Sequence, residues 1–194
     1  MSISLPRDLA SLRAAVLRGE EFRYRCFWGH RPSKDGRLTE SVLSQWWPCR
    51  FEADGVSYTS AEQRMMAEKA RLFGDEGTLA RILASRDPAI CKALGRKVAG
   101  YHDAAWAAVR FGVVVGTSLA KFGQSPALRS YLLSTGSDVL VEASPTDAIW
   151  GIGMAASDPR VIDPRQWEGE NLLGFALVAA RDALRAEGAQ PPTP

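Results

Sequence analysis

The chain is poor in the residues that metal centres and disulfide frameworks require. Its 194 residues include three cysteines, Cys26, Cys49 and Cys91, and two histidines, His30 and His102. The cysteines are odd in number and lack the C-x-x-C spacing of a metal or redox motif, and the histidines stand far apart in the sequence. We therefore expect reduced thiols, no structural metal and no cofactor.

Long apolar runs and strong charge are also missing. No apolar run approaches the ~18 residues of a membrane span, and the N-terminus lacks the apolar core of a signal peptide, so we expect a cytoplasmic protein without a membrane partner. The net charge of +2 is too small to indicate a nucleic-acid surface. There is no P-loop, no G-x-G-x-x-G after a strand and no G-x-S-x-G, which removes the common nucleotide-binding fingerprints and weakens the case for acyl transfer.

What is present is the composition of a soluble globular domain, 46% apolar and 24% charged. The patterns predict an accessory helix within residues 1–20, running from a Ser4 cap to Gly19, a main domain over 21–187 and a disordered tail over 188–194.

Periodicity and turn residues predict the elements of the main domain. A strand is expected in 22–29, and a hairpin turns at Asp54-Gly55 with its first strand starting near residue 43. A long helix over 103–122 should turn Trp106 and Val109 inward. The remaining predictions are helices over 58–73, 78–85 and 89–100, a strand in 138–145, and a closing helix capped by Asn171 and stopped by Gly188.

The helix predicted over 58–73 places two opposite charges on its apolar face. At 100° per residue, Glu62 and Lys69 fall within about 60° of Met65 and Met66. Burying an ionisable group costs several kcal/mol unless it is paired or lines a wet cleft. The two groups stand two turns apart, roughly 10–11 Å along the axis. A structural ion pair is one explanation, but this gap better suits two groups that face one ligand.

Other acids and amines extend this candidate site. Glu142 and Asp147 join Glu62 as candidate acids or bases, and Lys121 competes with Lys69 as the reactive amine. Paired carboxyl groups suit glycosidic bond cleavage, and an amine desolvated on an apolar stripe can form a Schiff base with an open-chain sugar.

The remaining candidates carry alternative explanations. Trp150 beside Gly151 suits close approach of a ligand, or else a turn packed by a core tryptophan. Lys92, Arg96 and Lys97 form a basic helix side, which we interpret as a solvated face in preference to a phosphate contact.

Ordered sequence blocks carry a resemblance to a known family. From about Phe22 to Leu184 the sequence resembles the NADAR family, the YbiA-like N-glycosidases. The blocks are FWG (27–29), LSQWW (43–47), TSAEQRMMAEKARLF (59–73), LGRKV (94–98), LAKF (119–122), VLVEASPTDAIWGIG (139–153) and NLLGFALVAAR (171–181). One departure precedes LAKF, where Thr117 and Ser118 replace the Gly-Asn pair of many members.

The resemblance implies a compact, mainly helical α+β single domain with a few short strands. It also implies an enzyme that cleaves the bond between ribose and an exocyclic amine in phosphorylated riboflavin-pathway intermediates, or one that removes ADP-ribose from guanine. A nucleic-acid partner is expected only under the second activity. A third hypothesis is a catalytically silent ADP-ribose or nucleotide binding module.

Mapped onto this sequence, the family pattern implies three catalytic residues and several substrate contacts. The expected catalytic residues are Glu62, Lys69 and Asp147. The expected substrate-binding residues are Trp46, Trp47, Arg96, Lys121, Glu142, Trp150, Gly151 and Asn171.

Overall fold

A computed structural model describes residues 5–189, and helices dominate it. The helices are α1 (Leu9–Leu17), α2 (Ala61–Leu72), α3 (Glu76–Ala84), α4 (Pro88–Gly95), α5 (Asp103–Gly123), α6 (Pro126–Ser134) and α7 (Leu172–Ala189). The strands are β1 (Tyr24–Phe27), β2 (Phe51–Ala53), β3 (Val56–Tyr58) and β4 (Val139–Glu142). The prediction of a mainly helical α+β domain with few short strands is confirmed.

The strands form two separate pairs. β2 and β3 are the antiparallel hairpin predicted around Asp54-Gly55, although its first strand starts at Phe51 and not near residue 43. The segment before it is a 3₁₀ helix, Glu40–Leu43, followed by irregular chain. β1 pairs in parallel with β4, so residues more than a hundred positions apart in sequence become neighbours. This pairing, like α6, was not predicted.

α5 lies at the centre of the domain and packs against α2, α6 and α7. By length and composition it is apolar enough to pass as a membrane span, contrary to our reading of the sequence, but Trp106, Val114 and Phe122 are buried in the main core as in a helix of a soluble domain. Val109, predicted to face inward with Trp106, is 39% exposed. The inward prediction for Val109 is therefore wrong, because the buried stripe of α5 continues through Val114 and Lys121 instead.

The two ends of the chain differ from the prediction in their caps. α1 begins at Leu9, where Asp8 accepts from the Ser11 amide at 2.7 Å and receives the reciprocal bond of a capping box. Ser4, the predicted cap, and residues 190–194 of the predicted tail lie outside the described residues. Gly188, the predicted stop, lies inside α7, which continues to Ala189.

Asn171 binds a neighbouring strand and does not cap α7. Its backbone has a φ of 56°. Its side chain accepts from the Glu142 amide at 3.0 Å and donates to the Leu140 carbonyl at 2.9 Å. These bonds fasten the start of α7 to the end of β4, and with it the residue Glu142.

The contact between α7 and β4 has no room for a side chain at Gly174. A Cβ there would lie 2.0 Å from the Leu140 oxygen and 2.5 Å from Asn171 Nδ2. We expect Gly174→Ala to lower the free energy of unfolding by about 3 kcal/mol, measured by urea denaturation. Gly112→Ala is the control, because Gly112 lies in a helix with open space at its Cβ and the change should stabilise by up to about 1 kcal/mol. Equal effects of the two changes would contradict this account.

Candidate active site

One cleft of about 880 Å³ collects most of the predicted site residues. α2 provides one wall with Glu62 and Lys69, and α4 provides another with Lys92 and Arg96. The segments 28–30 and 44–46, the first turns of α5, and the chain from Glu142 to Trp150 complete it. Of the predicted residues, Glu62, Lys69, Asp147, Trp46, Arg96, Glu142 and Trp150 line this cleft.

Glu62 lies at the start of α2 with 3% of its surface exposed. Ser60 caps the helix by accepting from the Gln63 amide, and the Glu62 amide donates to the Gln45 carbonyl at 2.9 Å. The carboxyl oxygen Oε1 is buried without a hydrogen-bond partner. Burial raises the pKa of Glu62 to about 7, against the opposing effect of the Lys92 charge. This carboxyl group can therefore both give and take a proton near neutral pH.

Glu142 is a second buried carboxyl group in the same cleft. It ends β4, where its own amide is held by Asn171. Its Oε2 atom is buried and has no hydrogen-bond partner. Burial, and then the negative charge of Asp147, raise the pKa of Glu142 to about 8. Two protonatable carboxyl groups with unused oxygens thus face one cleft.

Asp147 is fixed by a turn of its own. Its Oδ1 atom accepts from the amides of Ile149 at 3.0 Å and Trp150 at 2.8 Å. Its Oδ2 atom lies 3.9 Å from Lys92 Nζ. The turn presents both the carboxylate and the Trp150 ring to the cleft.

Lys69 does not form an ion pair with Glu62, which rules out the structural explanation of the two inward charges. Within residues 5–189, no carboxylate oxygen lies within 4.0 Å of its Nζ atom. The ammonium instead stands 4.0 Å from the centre of the Tyr101 ring and 6.0 Å from that of Trp106. Burial lowers the pKa of Lys69. A lowered pKa increases the fraction of neutral, nucleophilic amine.

Lys121 is placed behind the cleft wall and does not line the cleft. Its buried Nζ donates to the carbonyls of Val42 at 2.6 Å and Ser44 at 2.8 Å. Burial lowers the pKa of Lys121 to about 8. Since the segment it holds continues into Trp46, Lys121 positions a cleft residue and is not placed to contact the substrate.

Three other predicted contacts also lie outside the cleft lining. Trp47 is buried in the main core, and Asn171 is used by β4. Gly151 packs against backbone, since a Cβ there would lie 2.7 Å from the Glu142 oxygen. Its lack of a side chain lets the loop approach β4 closely, rather than a ligand.

The cleft also contains side chains that the sequence analysis did not select. Asp103, Trp106 and Arg110 line it from α5, and their spacing of three and four residues is a signal that one helix face carries them. Lys92, assigned to a solvated face, lies in the cleft beside Asp147. The other unselected lining residues with functional side chains are Trp28, His30, Gln45 and Tyr101.

Comparisons with known proteins agree with this site. A family model for the NADAR domain matches residues 26–185. The chain is 40% identical over 146 residues to N-glycosidase R617 of Acanthamoeba polyphaga mimivirus, covering 73% of this chain and 86% of that protein. It is 30% identical over 141 residues to N-glycosidase YbiA of Escherichia coli, covering 73% and 78%.

Two further comparisons concern the fold and a larger relative. The NMR structure of E. coli YbiA superposes with a TM-score of 0.70 at 25% identity, over 90% of this chain and 92% of that one. The riboflavin biosynthesis protein VVA0006 of Vibrio vulnificus is 29% identical over 143 residues, which is 74% of this chain and 35% of that protein. The fold, the cleft and these relatives agree, and the chain belongs to the NADAR domain family of N-glycosidases.

Proposed function

We propose that this N-glycosidase hydrolyses the bond between ribose and an exocyclic amine in phosphorylated intermediates of riboflavin biosynthesis, the aminopyrimidine phosphoribosides. The observation that carries the proposal is the pair of buried carboxyl groups, Glu62 and Glu142, whose unpartnered oxygens face a cleft with an unpaired lysine. The Vibrio relative named for riboflavin biosynthesis supports the choice of substrate. A cytoplasmic location follows from the same pathway.

The chemistry begins with opening of the ribose ring. A protonated carboxyl group, Glu62 or Glu142, gives its proton to the ring oxygen while the lone pair of the exocyclic nitrogen forms a C1′ imine. Lys69 Nζ then adds to C1′, and the aminopyrimidine leaves as an amine after taking up a proton. Water hydrolyses the resulting Lys69 imine and releases ribose 5-phosphate. The net reaction consumes one water and restores Lys69 and the carboxyl groups.

The cleft also offers groups for the rest of the substrate. The half-buried rings of Trp46 and Trp150 provide flat apolar surface for the pyrimidine. The exposed guanidinium of Arg96 can bind the 5-phosphate through charge-assisted hydrogen bonds. Asp147, fixed by its turn, can position a ribose hydroxyl or the attacking water.

Removing the Arg96 charge should affect binding much more than chemistry. We expect Arg96→Met to raise KM for the phosphoriboside about tenfold or more, with kcat within about threefold, because a phosphate contact is the same in ground and transition states. The dephosphorylated riboside should show no such change in steady-state kinetics. Arg81→Met is the control, since Arg81 is exposed on α3 and does not line the cleft. An equal KM increase for both substrates would exclude Arg96 as the phosphate ligand.

The second candidate function is hydrolysis of ADP-ribosylated guanine. The volume of the cleft, near the upper end for small-molecule sites, favours it because a pyrophosphate needs the additional room. Four basic and four acidic side chains line the cleft, so its charge is balanced and gives no basic path for nucleic acid. The basic residues are Lys69, Lys92, Arg96 and Arg110, and the acidic ones are Glu62, Asp103, Glu142 and Asp147.

Product analysis separates these functions. The purified protein is incubated with an aminopyrimidine phosphoriboside and, separately, with ADP-ribosylated guanosine, and the released sugar is identified by mass spectrometry. We expect ribose 5-phosphate from the first substrate at the higher kcat/KM. Release of ADP-ribose alone would favour the second function. Binding without any release between pH 5 and 9 would overturn both and leave a binding module.

A further inference from the structure

Three carboxyl groups of the cleft share one ammonium group, that of Lys92. This lysine lies in the last turn of α4, which is anchored to the core by its buried neighbours Cys91 and Leu94. Its Nζ atom is 3.9 Å from Asp147 Oδ2 and 5.9 Å from the centre of the Trp46 ring. The side chain is 37% exposed at the cleft surface.

The same ammonium acts on both buried carboxyl groups. Its positive charge opposes the rise in pKa of Glu62 and, independently, that of Glu142. Asp147 acts in the opposite sense on both. The other ionisable groups that face Glu62 are Arg96 and the thiol of Cys91 from α4.

Lys69, Asp103 and Arg110 line the same cleft from α2 and α5, and none of them appears among the charges that shift Glu62 or Glu142. Lys92 is therefore the cation that all three carboxyl groups have in common. A single positive charge can compensate one negative charge, and a second ionised carboxylate in a buried site is costly.

We propose that Lys92 is a positioning residue that neutralises Asp147 and thereby sets the protonation of Glu62 and Glu142. This inference rests on the proposed function, because it assigns to Lys92 a task in that reaction. With Asp147 ionised and paired, the two glutamates retain protons that the substrate can use. Lys92 is then unavailable as a phosphate ligand, and the phosphate contact falls to Arg96.

The sign of the effect follows from the charge. Without the ammonium, ionisation of each glutamate becomes less favourable, so both titrate at higher pH. A limb of the pH profile that requires an ionised carboxylate moves up, and so does a limb that requires a protonated carboxyl group. An opposite charge at this distance shifts such a group by about one unit.

The first experiment compares the pH dependence of kcat for wild type, Lys92→Met and Lys92→Arg with the phosphoriboside. We expect both limbs of the Lys92→Met profile to move to higher pH by about one unit, and Lys92→Arg to return them most of the way. Lys97→Met is the control, since it removes the same charge from an exposed position outside the cleft and should leave the profile unchanged. An unshifted profile with a raised KM would overturn the proposal and make Lys92 a phosphate ligand.

A second measurement needs no substrate. The side-chain carboxyl carbons of ¹³C-labelled glutamates are titrated by NMR in wild type and Lys92→Met, with the two signals assigned by Glu62→Gln and Glu142→Gln. Higher midpoints for both glutamates in Lys92→Met are expected, and unchanged midpoints would overturn the proposal even if turnover is normal. A wild type that releases no sugar but shows the midpoint shift would instead refute the proposed function and keep the role of Lys92.

Discussion

Glu62→Gln is expected to abolish sugar release and, above neutral pH, to make the protein more stable. The loss of activity follows because an amide can neither give nor take the proton that ring opening requires. General acid–base groups contribute about 10²–10⁴-fold to rate, so kcat should fall by at least this factor. Because glutamine has nearly the same shape, substrate affinity measured by calorimetry should remain within a fewfold of wild type.

The gain in stability follows from the pKa of the buried carboxyl group. Folding raises the pKa of Glu62 from 4.5 to about 7. At pH 4 the group is protonated in both folded and unfolded chains, and it carries no penalty. As pH rises from 4.5 to about 7, only the unfolded chain releases the proton, so stability is lost over this window.

Glutamine removes this penalty because it does not ionise. The variant should therefore gain up to about 3 kcal/mol in free energy of unfolding at pH 8, and nothing at pH 4. Thermal unfolding at the two pH values measures the difference, with Glu76→Gln as the control on the exposed start of α3. A variant that keeps its activity, or that loses stability equally at both pH values, would show that Glu62 is not a protonatable group of the active site.

Lys69 is expected to carry the sugar as a covalent imine. The protein is mixed with the phosphoriboside, borohydride is added, and the intact mass is measured. We expect a mass increase equal to the reduced sugar phosphate in wild type. Peptide mapping should place it on Lys69, while Lys121, buried and bonded to two carbonyls, should stay unmodified.

Lys69→Arg tests whether charge alone is sufficient. Arginine retains the positive charge near Tyr101 but cannot form an imine with C1′, so turnover should fall to near the limit of detection and the adduct should disappear. Lys97→Arg is the matched control at an exposed site. Product release by wild type without a trapped adduct, together with substantial activity in Lys69→Arg, would assign the chemistry to Glu62 and water and leave Lys69 an electrostatic role.

The sequence was sufficient where the signal is local. The apolar stripe of α2 identified Glu62 and Lys69 as inward charges, and the Asp54-Gly55 turn located the hairpin. Helix periodicity and turn chemistry are decided by residues within a few positions of one another, so they can be read without the fold. The family blocks extended this to Glu142, Asp147 and Trp150.

The sequence was insufficient where a residue's role depends on a distant partner. Asn171 has the composition of a helix cap, but the strand β4 takes both of its side-chain hydrogen bonds. Lys121 has the appearance of a reactive amine, but carbonyls almost eighty positions away occupy it. Lys92 has the pattern of a solvated face, and only the approach of the Asp147 turn gives it a carboxylate partner.

The sequence by itself thus determined the class of the fold, the family and the first two groups of the site, since short-range patterns and ordered blocks carry that information. The tertiary structure alone decided that β1 pairs with β4, that Glu62 and Glu142 face the same cleft, and which lysine is free within it. These outcomes depend on packing between elements far apart in the chain. Burial and neighbouring charge, which set the pKa of each group, exist only after that packing is complete.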